Sequence, residues 1–223
     1  MPTWAQRQVM AAQAREASAP QSASAPGRAT GLDKMLGQLK GDLDAIRAVK
    51  SLETRAEIKR SLIPKYAPWV QEVLAADTGR QDPVVVHVMI WCLDTGAWTD
   101  GLNIARYVIR HGLAMPEGWE RDAATWLVEE LARAAETDPD ALPWLDDAMT
   151  LTADHDMHDQ VRARALKVLG LAVEDTDPPQ AEELLSRALR LDARAGVKPA
   201  LARIRKRLAE DQARAAIDPG EDA

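Results

Sequence analysis

The stretch Asp82-Pro83-Val84-Val85-Val86-His87-Val88-Met89-Ile90-Trp91-Cys92-Leu93-Asp94-Thr95-Gly96 decides the fold class. Its centre, VVVHVMIWCL, is branched enough to read as a buried strand, because branched and aromatic side chains suit a pleated surface. Its ends say otherwise. Asp82 can cap a helix by accepting from the first free amides, and Pro83 suits the first helical position, where a missing N–H is no loss. Gly96 can close the element. A span of about fourteen residues between such signals predicts a helix, buried on most sides, rather than a strand.

Outward from this helix the same pattern repeats. Thr99 is placed to cap a following helix whose inner stripe is Leu102, Ala105, Val108 and Ile109 and which Gly112 ends. The pair, joined by residues 95–98, forms an antiparallel hairpin. Further helices are expected over 119–136, from the Asp138-Pro139 and Leu142-Pro143 signals through Met149, and over 160–173, 181–191 and 198–215. Asp156 and Asp159 resemble a capping pair for the 160–173 helix. Upstream, Leu32, Leu36, Leu39, Leu43 and Ile46 keep a 4-3-4-3 spacing that places them on one helical face. Gly37 and Gly41 inside that helix permit close approach of another helix, within or between subunits, or simply weaken it. A second helix over 49–63 is expected to break at Pro64 and Pro68, with a short one from Trp69 to follow.

The fold class is therefore all-α: a helical bundle of antiparallel helix hairpins with a tetratricopeptide-like C-terminal end. Five segments are expected: a disordered lead (1–30), a basic helical region for oligomerisation or DNA contact (31–66), an acidic helical core (67–176), repeat-like C-terminal helices (177–215) and a flexible tail (216–223). Trp4, Val9 and Met10 suggest a short docking helix within the lead.

Composition agrees with helix. The 223 residues are 46% apolar, with seven Trp, two Tyr and no Phe. Trp91 and Trp126 read as core, whereas Trp69, Trp98 and Trp119 at helix starts and turns read as half-buried anchors or interface residues. A single cysteine, Cys92, permits no intrachain disulfide and reads as a buried, inert thiol. The longest apolar run is half of what a membrane span needs, and the N-terminus lacks the apolar region of a signal peptide. No membrane partner is expected.

Charge is segregated. Residues 1–66 carry 11 Lys and Arg against 6 Asp and Glu, residues 67–180 carry 8 against 21, and residues 181–223 carry 9 against 8. The middle repels a phosphate backbone, and the N-terminal third attracts one. Two clusters are candidates for backbone contact with double-stranded DNA: Arg47, Lys50, Arg55, Lys59, Arg60 and Lys65, and, near the C-terminus, Lys198, Arg203, Arg205, Lys206 and Arg207. Either cluster reads equally as a solvated or subunit-contact face.

Residues for catalysis are harder to find. Glu57-Ile58-Lys59 has the E-x-K spelling of one nuclease class, but on a helix positions i and i+2 diverge. Asp154, His155, Asp156, His158 and Asp159 form the best apparent metal cluster, because imidazole and carboxylate together suit first-row metals. The same residues also suit a helix start. His87 reads as a satisfied core group and His111 as a cap or surface residue. No catalytic or cofactor-binding residue is assigned, and no phosphate-binding G-x-x-x-x-G-K-[ST] loop is present.

The runs Leu62-Ile63-Pro64-Lys65-Tyr66-Ala67-Pro68-Trp69-Val70, Val88-Met89-Ile90-Trp91-Cys92-Leu93-Asp94-Thr95-Gly96 and Ile104-Ala105-Arg106-Tyr107 resemble the phage small terminase subunit family of P2-like tailed phages. Residues 113–116, 161–163 and 193–198 are similar to the same family, and the likeness covers about Thr30 to Leu208. The resemblance implies a subunit, located in the host cytoplasm, that recognises viral DNA at the cohesive-end site. With a large ATPase subunit it would direct genome cleavage and packaging into the procapsid, as a homo-oligomer, in all expectation a ring. ATP would then bind only the large partner. Traditionally the family's small subunit is labelled an endonuclease, and under that reading a divalent metal is required. A third reading is a helical-repeat scaffold that binds protein. In one respect the chain departs from the family pattern: where P2-like sequences end in a long basic tail, this one ends Asp218-Pro219-Gly220-Glu221-Asp222-Ala223.

Overall fold

A computed structural model describes the backbone of residues 26–217 and the side chains of residues 31–214. Residues 1–25 of the lead, with Trp4, Val9 and Met10, and the last six residues lie outside the described residues, whereas 26–30, expected to be disordered, are helical. Two units divide the chain, 1–41 and 42–223. In the first, residues 26–41 are helical and open helix α1 (Pro26–Ala48), which starts earlier than the Leu32 predicted from the leucine spacing. A Cβ added at Gly37 or Gly41 would meet no described atom within 4 Å.

In the second unit, α1 ends and the chain turns into α2 (Leu52–Ala76), capped by Ser51, whose Oγ accepts from the Thr54 amide at 3.3 Å. The expected break at Pro64 and Pro68 is a correction: both prolines lie inside one continuous helix. The reason is their position on the wheel. Pro64 and Pro68 are exposed, while Leu62, Tyr66, Val70 and Val73 are buried on the opposite face. Each proline orphans the carbonyl four residues back, and on an exposed face that carbonyl can be hydrated instead. Burial of the opposite stripe then outweighs the two lost helix bonds.

Helix α3 (Pro83–Asp94) carries the end signals read from the sequence. Asp82 Oδ1 accepts from the Val84 and Val85 amides at 2.9 and 3.2 Å. Nine of its twelve residues are buried. It forms a hairpin with α4 (Trp98–His111) through a turn in which Gly96 has φ +79° and the Ala97 amide donates to the Cys92 carbonyl. Thr99 does not cap α4; the helix opens from Ala97 without a side-chain cap. Close packing fixes the hairpin instead, since a Cβ on Gly101 would stand 2.8 Å from Leu93 Cδ2.

Downstream lie α5 (Ala123–Ala135), capped by Asp122, a short 3-10 turn (Pro139–Ala141), α6 (Leu142–Leu151), α7 (Asp159–Ala172), α8 (Pro178–Leu191) and α9 (Lys198–Ile217). Packing follows the order of the chain: α2 on α3, α3 on α4, α5 against α6 and α7, α7 on α8 and α8 on α9. No strand occurs among the described residues. The last three helices enclose their own apolar cluster around Leu166, Leu185, Leu201 and Ile204. Gly170 lets α7 and α8 meet closely, because a Cβ there would lie 2.8 Å from Leu185 Cδ2. Asp177 caps α8 through the Gln180 amide. The Asp156–Asp159 pair does not cap α7; His158 holds the cap position and makes no capping bond.

Candidate nucleic-acid interface

The turn between α1 and α2 is tied down on both sides. Tyr66, fully buried, donates its hydroxyl to Asp42 at 2.7 Å and stands edge-on to Trp91, ring centres 5.6 Å apart. Arg55 donates its Nε–H back to the Val49 carbonyl at 2.5 Å, across the turn. Lys59 Nζ reaches Asp94 at 2.5 Å and ties α2 to the end of α3. Burial raises the Asp94 carboxyl above its ordinary range, with Lys59 acting in the other direction. Two of the six candidate cations here thus have structural partners. A third, Arg47, meets Asp44 at 3.2 Å with both side chains mostly exposed, an arrangement worth little in water.

Lys50, Arg60 and Lys65 differ. All three are exposed, and among the described residues none has a carboxylate within ion-pair distance. They do not form one stripe: Arg60 and Lys65, five residues apart on α2, project well away from each other around the helix.

The C-terminal cluster is arranged otherwise. Arg203 forms two bonds to Glu174 at 3.1 and 3.0 Å, and Arg205 two to Glu182 at 2.9 and 2.7 Å with a third to Ser186 Oγ. The Arg205 and Ser186 donors hold the Glu182 carboxyl below the ordinary range. Arg207 lies 3.6 Å from Asp175, and Lys206 3.7 Å from Glu210 on its own helix. Among the described residues, only Lys198 of this group lacks a carboxylate partner.

The structure also places the candidate chemical groups. Glu57 is exposed, whereas Lys59 is turned to Asp94, so the E-x-K residues do not converge. Asp154, His155, Asp156, His158 and Asp159 are all exposed. The turn carrying them is held by Arg162, which donates to the carbonyls of Thr152 and His155 at 3.2 and 2.9 Å. Among the described residues, no group of three or more His, Cys, Asp or Glu is placed to hold a metal ion. His87 bonds through Nδ1 to the Pro83 carbonyl, and burial lowers its pKa. His111 lies 2.7 Å from Asp77 and against the Tyr107 ring, cross-linking the 77–79 turn, whose Gly79 amide donates to Tyr107. Cys92 is buried, and burial chiefly, with Asp100 nearby, pushes its thiol up to about 12.

Sequence reasoning missed the double use of Asp82. Its second oxygen accepts from Trp69 Nε1 at 3.0 Å, joining α2 to the start of α3. A tryptophan thirteen residues before a capping aspartate leaves no mark in the pattern.

These features define a class: an all-α helical bundle, with unpaired cations on α2 and the turn before it and paired ones at its C-terminal end. A model of the family described as "Phage small terminase subunit" matches residues 36–160. The chain is 39% identical over 211 residues to the "Terminase, endonuclease subunit" of Escherichia phage P2, covering 92% of this chain and 85% of that one. It is 25% identical over 190 residues to the "Probable terminase, endonuclease subunit" of Haemophilus phage HP1 (strain HP1c1), covering 76% and 68%. No solved structure matches it. The chain belongs to the phage small terminase subunit family. Among the described residues no helix is long and apolar enough to cross a membrane.

Proposed function

We propose that this chain is the DNA-contacting small subunit of a phage terminase. In this reading it engages double-stranded viral DNA at the cohesive-end site and works beside a large ATPase subunit in genome cleavage and packaging into the procapsid, in the host cytoplasm. The observation that carries the reading is the set of exposed cations on the turn before α2 and its first half, where Lys50, Arg60 and Lys65 stand without carboxylate partners among the described residues. Three such cations grip a duplex weakly, and a homo-oligomeric ring multiplies the grip by repeating them around it. The segment 31–66 is then the contact and assembly region, 67–176 an acidic body, and 177–215 a tetratricopeptide-like end available to protein partners. A gel-shift assay with cohesive-end duplex at low salt, with magnesium present, tests this. Retarded, uncut DNA and a light-scattering mass of several chains are expected; a monomer that leaves the duplex unshifted overturns the reading.

The names of the two relatives favour a second reading, in which the chain contributes to an endonuclease. Its distinguishing result is magnesium-dependent cutting that one Asp or Glu substitution abolishes, with the Asp154–Asp159 turn as the first target.

A further inference from the structure

Among the described residues, three large apolar side chains are left exposed: Leu52, Trp119 and Leu171. Trp119 is the one on a loop, and that loop is tied at both ends and at one internal turn. Its first residues are held by Gln81, which donates to the Ala114 carbonyl at 3.0 Å and accepts from the Ala114 amide at 2.7 Å. Leu113 is buried beneath it. Gly118 takes φ +84°, a left-handed conformation that costs glycine little, and the Trp119 amide closes a turn onto the Pro116 carbonyl. The far end is held by an Arg121–Glu129 ion pair and by Asp122 capping α5. The Trp119 ring stands edge-on to Trp126, which is 8% exposed, at a centre distance of 5.5 Å. Trp119 itself is 41% exposed.

A loop tied in this way holds an indole partly in water, where its exposed apolar surface gains nothing from burial. Its neighbours Glu117 and Glu120 are exposed and, among the described residues, form no ion pair, while the adjacent Arg121 is engaged by Glu129. The local field is negative, within a stretch of the chain where acids far outnumber bases. Such a surface repels phosphate and attracts a cation, and an indole face is the aromatic surface that best accepts Lys or Arg.

We propose that the loop joining α4 to α5 is a docking surface for a basic polypeptide segment of a protein partner, which lays an arginine or lysine side chain against Trp119 between Glu117 and Glu120. The assignment does not rest on the DNA reading, since it concerns a different surface of opposite charge.

The test uses the full chain and a fluorescein-labelled synthetic peptide of alternating arginine and alanine, followed by anisotropy. Trp119→Ala is expected to weaken binding by at least about five-fold, as for an interface tryptophan, and Glu117→Gln with Glu120→Gln to do the same without touching the Trp126 contact. Trp119→Phe keeps an aromatic face and should retain most of the affinity. Glu183→Gln with Asp211→Asn removes equal charge elsewhere and should leave affinity within about two-fold. The proposal is overturned by an unchanged Trp119→Ala and Glu117→Gln/Glu120→Gln pair, or by an equal loss in the Glu183/Asp211 control. It is also overturned if Trp119→Ala alters the light-scattering mass of the chain alone, which would make the loop a contact between copies. Duplex binding should be the same in all these variants, so that failure here and failure of the DNA reading are read separately.

Discussion

The basic stretch from the end of α1 to the middle of α2 and the C-terminal helices are both rich in arginine and lysine, yet they are electrostatically different objects. In the C-terminal helices, Arg203, Arg205 and Arg207 on α9 face Glu174, Glu182 and Asp175, which lie on α8 and the turn preceding it. Those cations brace the packing of α9. Along the first half of α2 and the turn before it, Lys59 and Arg55 have been drawn into the fold, and Lys50, Arg60 and Lys65 have not. A local count of charge treats the two regions alike; only the tertiary placement of acids separates cations that hold the fold together from cations available to a ligand.

The sharpest way to break this contrast is to reverse charge in each region. Lys50→Glu, Arg60→Glu and Lys65→Glu together should weaken low-salt duplex binding on the order of 100-fold, because three phosphate contacts become three repulsions. The thermal midpoint should hardly move. Arg203→Glu with Arg205→Glu should do the opposite, lowering the midpoint by several degrees and leaving affinity nearly unchanged, since one bidentate pair and one two-donor contact to a single oxygen are replaced by like charges. Gel shifts and thermal circular dichroism on both variants check the pair of outcomes. Equal loss of DNA binding in both would erase the distinction.

Packing offers a second contrast, of about 1–3 kcal/mol. Gly170→Val places side-chain atoms where Leu185 already stands, 2.8 Å from a Cβ, so the α7–α8 contact must open and urea unfolding should show the loss. At Gly37 and Gly41 a Cβ meets no described atom within 4 Å. Alanine there should stabilise α1 by about 0.5–1 kcal/mol per site, the ordinary helix preference over glycine. Destabilisation instead would mean that a neighbouring copy approaches the glycines, a measurement best made across protein concentrations.

How much of this was legible in the sequence depends on the range of the interaction. Signals acting within a few residues carried through: the Asp82 cap, Pro83, Gly96, the α4 stripe and the burial of Trp91 and Trp126. Where the outcome depended on which face of a helix a residue occupied, local rules misled, as at Pro64 and Pro68. Thr99 and the Asp156–Asp159 pair failed as caps because the cap positions fall at Ala97 and His158, off the register those side chains need. The basic candidates were visible as residue types, but their partners lie 19 to 35 positions away for Arg203, Arg205, Arg207 and Lys59, beyond any pattern in the local chain. Trp119 was singled out as a half-buried anchor or interface residue, and only its exposure and its unpaired neighbours narrow that choice.

The smallest effect expected is in the acid limb of stability, and here the two regions differ in sign. In the C-terminal helices Glu182 is held below its ordinary value of 4.5 by Arg205 and then Ser186, and outside both regions Glu136, at the end of α5, is held below the same value chiefly by Arg164. A carboxylate whose folded pKa is depressed contributes stability that is present above the unfolded pKa and lost as pH falls through the folded one. Asp94, raised above 3.8 by burial, contributes in the other direction: its term favours the folded state at low pH and is lost as pH rises through the raised value. Both glutamates are partly exposed, so solvent screens their share and the slope is shallow. Unfolding free energy followed by urea titration from about pH 6 down to about pH 3 should therefore fall in the native chain. Glu182→Gln should fall less, having no charge to lose, whereas Asp94→Asn should fall more, having lost the opposing term. If Glu182→Gln reproduces the native slope, the Arg205–Glu182 pair contributes nothing measurable to the C-terminal helices, and the claim that their cations are structural rests on geometry alone.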